Sequence, residues 1–305
     1  MEGLSTGLRF EDIKKAFESQ KAFSSTSAVA TRLKSAADFL ASAFPKHEPT
    51  LKNRTIVQSV FTLACRIVET DKASGLEKAF AGFVRQFLAE LTRQVELGPA
   101  ATDYDYIRFQ KSINANVKAG ARIRHEILLR KAFMHDSALA DAFDPSALTS
   151  SGITGRVREL GENIASQITQ LNAAYAATHG QDLFKATNKT TSALMNIGKP
   201  IKDVQGYSQL LSDLYFLFRE SAGDRLGSNV PLAFGDVNTL RTDLQHDVDH
   251  GEKKKVIKKR LKIGSTFQKY SGVKTPELLD PARFVLVQAN LLSALELDLK
   301  NLPTA

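Results

Sequence analysis

The sequence predicts an all-α protein, a helical bundle of two packed helical subdomains. Three observations carry this. Apolar residues recur at three- and four-residue spacing along most of the chain, no segment alternates with the period of two that a half-buried strand needs, and Pro and Gly clusters interrupt the pattern at helix-length intervals. A chain of 305 residues with 43% hydrophobic side chains can bury a sizeable core, so a folded protein is expected rather than a disordered one.

Taken in order, helical periodicity runs over 8–23, 26–44, 53–69, 76–97, 103–139 and 155–177. Pro45 and Pro49 stop the second segment and Gly98-Pro99 ends the fourth. Asp144-Pro145-Ser146 and Ser150-Ser151-Gly152 make a polar joint, which divides the chain into an N-terminal helical domain, 1–145, with a scaffolding or regulatory role, and a C-terminal helical domain, 146–305. Beyond the joint, Gly198-Lys199-Pro200 closes a segment, 208–221 forms an aromatic-rich helix, and 223–235 reads as a loop. A helix capped by Asp236 follows, then a basic helix, a break at Gly272-Val273-Lys274-Thr275-Pro276, and a last helix over 281–302. Nothing repeats at solenoid periods.

The net charge of +8 is local. From Glu252 to Lys262 there are seven Lys or Arg against one Glu, so this stretch holds six of the eight net positive charges. A cationic stripe binds phosphates by releasing their counterions, whereas mixed surface charge mainly gives solubility. Lys253, Lys254, Lys255, Lys258, Lys259, Arg260 and Lys262 are therefore candidate nucleic-acid-binding residues. On an ordinary amphipathic helix, the same stretch would turn Val256, Ile257, Leu261 and Ile263 towards the core.

Immediately upstream, Arg241-Thr242-Asp243-Leu244-Gln245-His246-Asp247-Val248-Asp249-His250 concentrates groups able to move protons and hold phosphate. With Val237 as the origin and 100° per residue, Leu240, Leu244 and Val248 fall within about 60° and form the inward stripe, while His246 lies near about 180° and His250 near about 220°. Both histidines point away from that stripe. Asp243 and Asp247 lie on the flank beside His250, where a carboxylate would raise an imidazole pKa. Arg241 is about 140° from His246, an arrangement best completed by a second copy of the chain.

The Arg241-x4-His246 spacing near the C-terminal end of a helical chain, with Asp247 next to the histidine, resembles the Arg-x(4–6)-His motif of HEPN-domain ribonucleases. That resemblance covers 150–305, within the domain 146–305, and implies a HEPN-like bundle that dimerises with its motif helices face to face. It implies a metal-independent endoribonuclease, a toxin or anti-phage defence effector, that needs no cofactor. Histidine would move the proton of the RNA 2′-hydroxyl and arginine would stabilise the charged phosphorane, leaving a 2′,3′-cyclic phosphate and a 5′-hydroxyl. Thr242 stands where the family often has Asn, Asp or His. The implied partners are RNA, a second copy of the chain, and a partner protein or antitoxin. The alternative is a non-catalytic helical adaptor that binds nucleic acid or a defence-system protein through Lys253–Lys262.

The same spacing recurs at Arg130-Lys131-Ala132-Phe133-Met134-His135, where apolar residues fill its interior and no cationic stretch follows. With Arg122, Arg124 and His125 it forms a second-choice site. Residues 53–59, 93–98, 101–106 and 121–129 resemble the helical region after the ParB-like nuclease domain of bacterial restriction and phage-defence proteins, although no Asp-Gly-Gln-Arg type catalytic motif accompanies them.

Other chemistry finds less footing. His246 and His250 have the i, i+4 spacing of an H-E-x-x-H zinc site, but Asp247 replaces the glutamate and Gly251 ends the helix. GxxxxGK[ST], GxGxxG and G-x-S-x-G motifs are absent. Cys65 sits in an apolar run, where burial is expected. Tyr207, Tyr215, Phe216 and Phe218 either stack on bases or, as helical spacing favours, fill the core. Without a basic, apolar leader or a long apolar segment, a cytoplasmic protein with no membrane partner is expected.

Overall fold

The computed structural model describes residues 10–19, 24–70, 72–114, 118–143, 153–227, 230–245 and 253–302, and all regular structure among them is helical. The chain divides into two compact units, Met1–Ser151 and Gly152–Ala305. No helix among the described residues is long and apolar enough to cross a membrane.

The first unit holds α1 (Phe10–Ser19), α2 (Ala28–Ala43), α3 (Arg54–Val68), α4 (Glu77–Leu97), α5 (Tyr104–Ile113), α6 (Lys118–His135) and α7 (Ser137–Ala142). Short polar side chains start several of them by taking up amide groups that have no partner within the helix. Ser27 accepts from the Ala30 amide at 3.2 Å, and Asn53 from those of Thr55 and Ile56 at 2.8 and 3.3 Å. Gly98 ends α4 at φ 53°, a conformation that glycine adopts without a Cβ clash. The core is aromatic: Phe80 meets Phe39 at 5.3 Å, and Phe87 meets Tyr106 and Phe109 at 5.0 Å each.

One long helix over 103–139 is expected, and the structure has three. α5 packs against α6, so the chain doubles back and buries Phe109 and Ile113 that a single straight helix would expose. Arg124 on α6 then donates to the Ser112 carbonyl at the end of α5, and Asp136, in extended backbone, caps α7 through the Ala138 amide at 2.7 Å.

The second unit holds α8 (Ile153–His179), α9 (Asn188–Asn196), α10 (Val204–Tyr215), a π-helical turn at Phe216–Glu220, α11 (Leu232–Gln245), α12 (Lys253–Ser271) and α13 (Phe284–Lys300). α13 is its axis. Every residue from Phe284 to Leu292 is buried, and the polar ones bond outward to different neighbours. Gln288 donates to the Ile197 and Lys199 carbonyls at 2.8 Å each and accepts from the Ile201 amide at 3.0 Å. Asn290 donates to the Tyr270 carbonyl at 2.8 Å, and Glu296 accepts from Asn163 at 2.8 Å and meets Arg156 at 3.4 Å.

α8 lies along α13 and is approached closely by the segment after α9. A Cβ added to Gly161 would stand 2.6 Å from the Gly198 Cα, inside contact distance with backbone on both sides. Gly161→Ala is therefore expected to cost about 1–3 kcal/mol, read as a lower denaturant midpoint. Gly155→Ala on the same helix, where an added Cβ meets nothing within 4 Å, should be neutral or slightly stabilising.

Candidate functional site

α11 carries Arg241, and three contacts fix where α11 begins. The Ala233 amide donates to Asp298 of α13 at 2.7 Å; Asp236 accepts from the Tyr270 hydroxyl at 2.7 Å and from Lys269 at 2.8 Å, both on α12. Burial raises the Asp298 pKa, against the lowering effect of the Ala233 bond, and burial with the neighbouring Asp236 raises that of Tyr270. The helix thus starts at Leu232, earlier than its expected cap at Asp236. Asp236 instead serves as a side-chain tie to α12, and Asp298, distant in sequence, takes the amide. Phe234, Val237 and Leu240 are buried, with the Phe234 ring 4.6 Å from Phe218.

Arg241 lies one step round from Val237 and is half-buried. Its guanidinium carbon sits 4.0 Å from the centre of the Tyr215 ring, within the range of a cation–π contact. Its Nε is buried without a hydrogen-bond partner. Tyr215 and Phe216, both half-buried, stand where α10 passes into the π-helical turn, with ring centroids 6.3 Å apart at 69°. Lys189 of α9 approaches the Phe216 ring at 4.6 Å. Tyr207 and Phe218 are core residues, at 1% and 0% exposure.

Asp243 is on α11, with its side chain outside the described residues; His246, Asp247 and His250 also lie outside them. Of the residues proposed for catalysis, Arg241 alone has a described environment. Lys189 was not legible as part of this surface, since it carries no motif and reaches Phe216 only through the packing of α9 on the π-helical turn.

The basic helix departs from the amphipathic pattern. Ile263, Phe267 and Tyr270 are buried, but Ile257 and Leu261 are 58% and 69% exposed, together with Lys258, Lys259 and Arg260 between them and Lys262 after them. The expectation that Ile257 and Leu261 face the core is thus overturned, while Ile263 fulfils it. Packing on α11 and α13 secures the second half of α12 and leaves 257–262 exposed on every face. Lys258, Lys259 and Lys262 form no ion pair among the described residues. Lys253, Lys254 and Lys255 are in the helix, with their side chains outside the described set.

The second-choice residues are distributed differently. Arg130 is fully buried, with Nη2 2.8 Å from Asp105 and Nε 2.7 Å from Glu126. Arg124 is also buried and donates to Ser59 at 3.0 Å as well as to the Ser112 carbonyl. Arg122 is exposed, and His135 is exposed at the end of α6 with its ring 5.5 Å from Phe83. His125 is buried with neither ring nitrogen hydrogen-bonded, and burial, aided by the Arg66 charge, pushes its pKa down to about 3. Cys65 is buried, which raises its thiol pKa above the ordinary range.

Compared with family models, with curated proteins and with solved structures, the chain matches none.

Two outcomes follow for the first unit. His125 has a folded pKa of about 3 against an ordinary 6.5, so the folded state resists protonation. Stability should be complete above pH 6.5 and fall as pH drops towards 3, by about 1.4 kcal/mol per unit from this group. Urea unfolding of His125→Leu at pH 7.5 and 5.5 should lack that increment. Arg130→Ala takes the nearest cation from two buried carboxylates and leaves Arg108 and Lys131 at 3.6–3.7 Å, so it should cost about 3 kcal/mol, seen as a large drop in melting temperature.

Proposed function

We propose that this chain is an RNA-binding, metal-independent endoribonuclease whose site combines Arg241 with His246, is flanked by Asp243, Asp247 and His250, and is completed by a second copy of the chain. One observation carries the reading: the chain has two Arg-x4-His spacings, and their arginines are in opposite states. Arg130 is completely buried between Asp105 and Glu126, which neutralise its charge and close it off from a ligand. Arg241 is held by an aromatic face, which positions a guanidinium without neutralising it. A planar, permanently charged group is what a pentacoordinate phosphorane requires of its stabiliser.

In the proposed reaction the RNA 2′-oxygen attacks the adjacent phosphorus and the bond from phosphorus to the 5′-oxygen breaks. His246 takes the proton from the 2′-hydroxyl and the resulting imidazolium returns it to the departing 5′-oxygen, so the products are a 2′,3′-cyclic phosphate and a 5′-hydroxyl. The exposed cations at 258–262 would hold the flanking phosphates.

A second reading rests on Ile257 and Leu261. Apolar side chains exposed between lysines also suit a helical adaptor that grips a nucleic acid or a defence-system protein without cutting it.

The two readings part on RNA digestion in EDTA, with product ends analysed. Wild type should cleave, and Arg241→Ala and His246→Ala should each reduce cleavage by about a hundredfold or more while still binding RNA. If wild type does not cleave, or if the variants cleave equally well, the adaptor reading replaces the enzyme. A protein that sediments as a monomer at every concentration would rule out the shared site.

A further inference from the structure

The second unit presents an aromatic and cationic surface that no motif marks. Tyr215 and Phe216 are adjacent, half-buried and set nearly edge to face, and each ring has a cation on it: Arg241 at 4.0 Å and Lys189 at 4.6 Å. Three segments far apart in sequence build this surface, α9, α11 and the junction of α10 with its π-helical turn. Packing explains only part of it. The other aromatics of the same stretch, Tyr207 and Phe218, are buried completely, as core residues should be. Among the described residues Arg241 pairs with no carboxylate, and Lys189, with a side chain 65% exposed, has the distant Glu220 at 4.0 Å. Local chain geometry also singles the place out. The Ser221 amide bonds to the Phe216 carbonyl at 2.9 Å, the i to i+5 pattern of a π-helix, so the turn Phe216–Glu220 takes up one extra residue. Phe216 itself still bonds to the Ser212 carbonyl in α-helical register and is half-buried, and Leu217 and Phe218 after it are buried.

We infer that Tyr215, Phe216, Arg241 and Lys189 form a stacking subsite for an unpaired nucleobase of single-stranded RNA. Bases stack on aromatic rings and on the flat guanidinium of arginine, and all four bases have a π-face to offer, so such a surface selects unpaired strands without selecting sequence. A guanidinium lying on Tyr215 continues the ring as a platform while its charge faces the phosphate that accompanies the base. Lys189 supplies a second cation at the other end. Duplex RNA keeps its bases inside the helix and has nothing to place on these rings. The subsite rests on the RNA-acting reading above and narrows it to single strands.

Binding of the full chain to labelled RNA tests this, with 2′-O-methyl strands so that none can be cut through its own hydroxyl. The probes are an unstructured mixed-sequence strand, the same backbone with abasic units, and a duplex of equal length. Wild type should bind the base-bearing strand about tenfold more tightly than the abasic one. Tyr215→Leu and Phe216→Leu should narrow that gap by weakening the base-bearing strand more than the abasic one, and Tyr215→Phe, which keeps the ring, should preserve it. Lys258→Glu with Lys259→Glu should weaken binding to all three. If wild type binds base-bearing and abasic strands equally, or prefers the duplex, the stacking subsite is overturned and RNA binding through α12 stands. If wild type binds none of the probes at low salt, both inferences fall together. The abasic comparison uses unaltered protein, so it decides the matter even if a ring variant fails to fold.

Discussion

The carboxy-terminal unit depends on how the polar side chains of α13 are satisfied. A helix buried along most of its length cannot leave an amide or carboxylate unpaired without a cost of about 1–3 kcal/mol each. Gln288 accordingly binds the segment after α9 through three bonds, Asn290 binds the end of α12, Glu296 binds α8, and Asp298 binds the first turn of α11. Each of these reaches a different neighbour, so the apolar face supplies most of the burial while the polar groups fix the register. A slide of any one neighbour by a turn would strand a buried polar group. This is why such networks specify one packing among several that bury similar apolar area.

That register sets the environment of Arg241. With Asp298 holding the Ala233 amide and Asp236 tied to Tyr270 and Lys269, α11 is pinned at its start to both α12 and α13. Arg241 follows on the flank of the buried stripe made by Phe234, Val237 and Leu240, at the height of Tyr215. The ring substitutes for a carboxylate. It orients the guanidinium and partly shields it without bringing an opposite charge. Arg130 shows the other outcome: two carboxylates at hydrogen-bonding distance convert the same side chain into a core element of the first unit. The identical Arg-x4-His spacing thus leads to opposite environments, and the difference lies in what packs against each arginine.

α12 combines both regimes in one helix. Ile263, Phe267 and Tyr270 are buried, whereas before them Ile257 and Leu261 remain exposed beside the lysines. Apolar side chains between cations can lie against sugars and bases while ammonium groups meet phosphates, so this stretch has the chemistry that the proposed RNA binding would use.

The all-helical class, most helix positions and the concentration of charge at 252–262 were legible because they are local: periodicity, capping residues and composition are written in neighbouring positions. The inward direction of Val237 and Leu240 was legible for the same reason. Whether Arg241 or Arg130 is left available was not, because the deciding groups, Tyr215 for one and Asp105 for the other, are brought in by other helices. Nor was the exposure of Ile257 and Leu261, since a periodic pattern says which side of a helix is apolar but not whether anything covers it. The doubling back within 103–139 was equally hidden, because a straight helix and two packed ones share one periodicity until tertiary burial separates them. The sequence by itself therefore determined the helices and their charges, and the tertiary structure alone decided which side chains are committed to the core and which remain open to a ligand. The physical reason is that commitment is a property of contacts between segments, and no spacing within one segment encodes it.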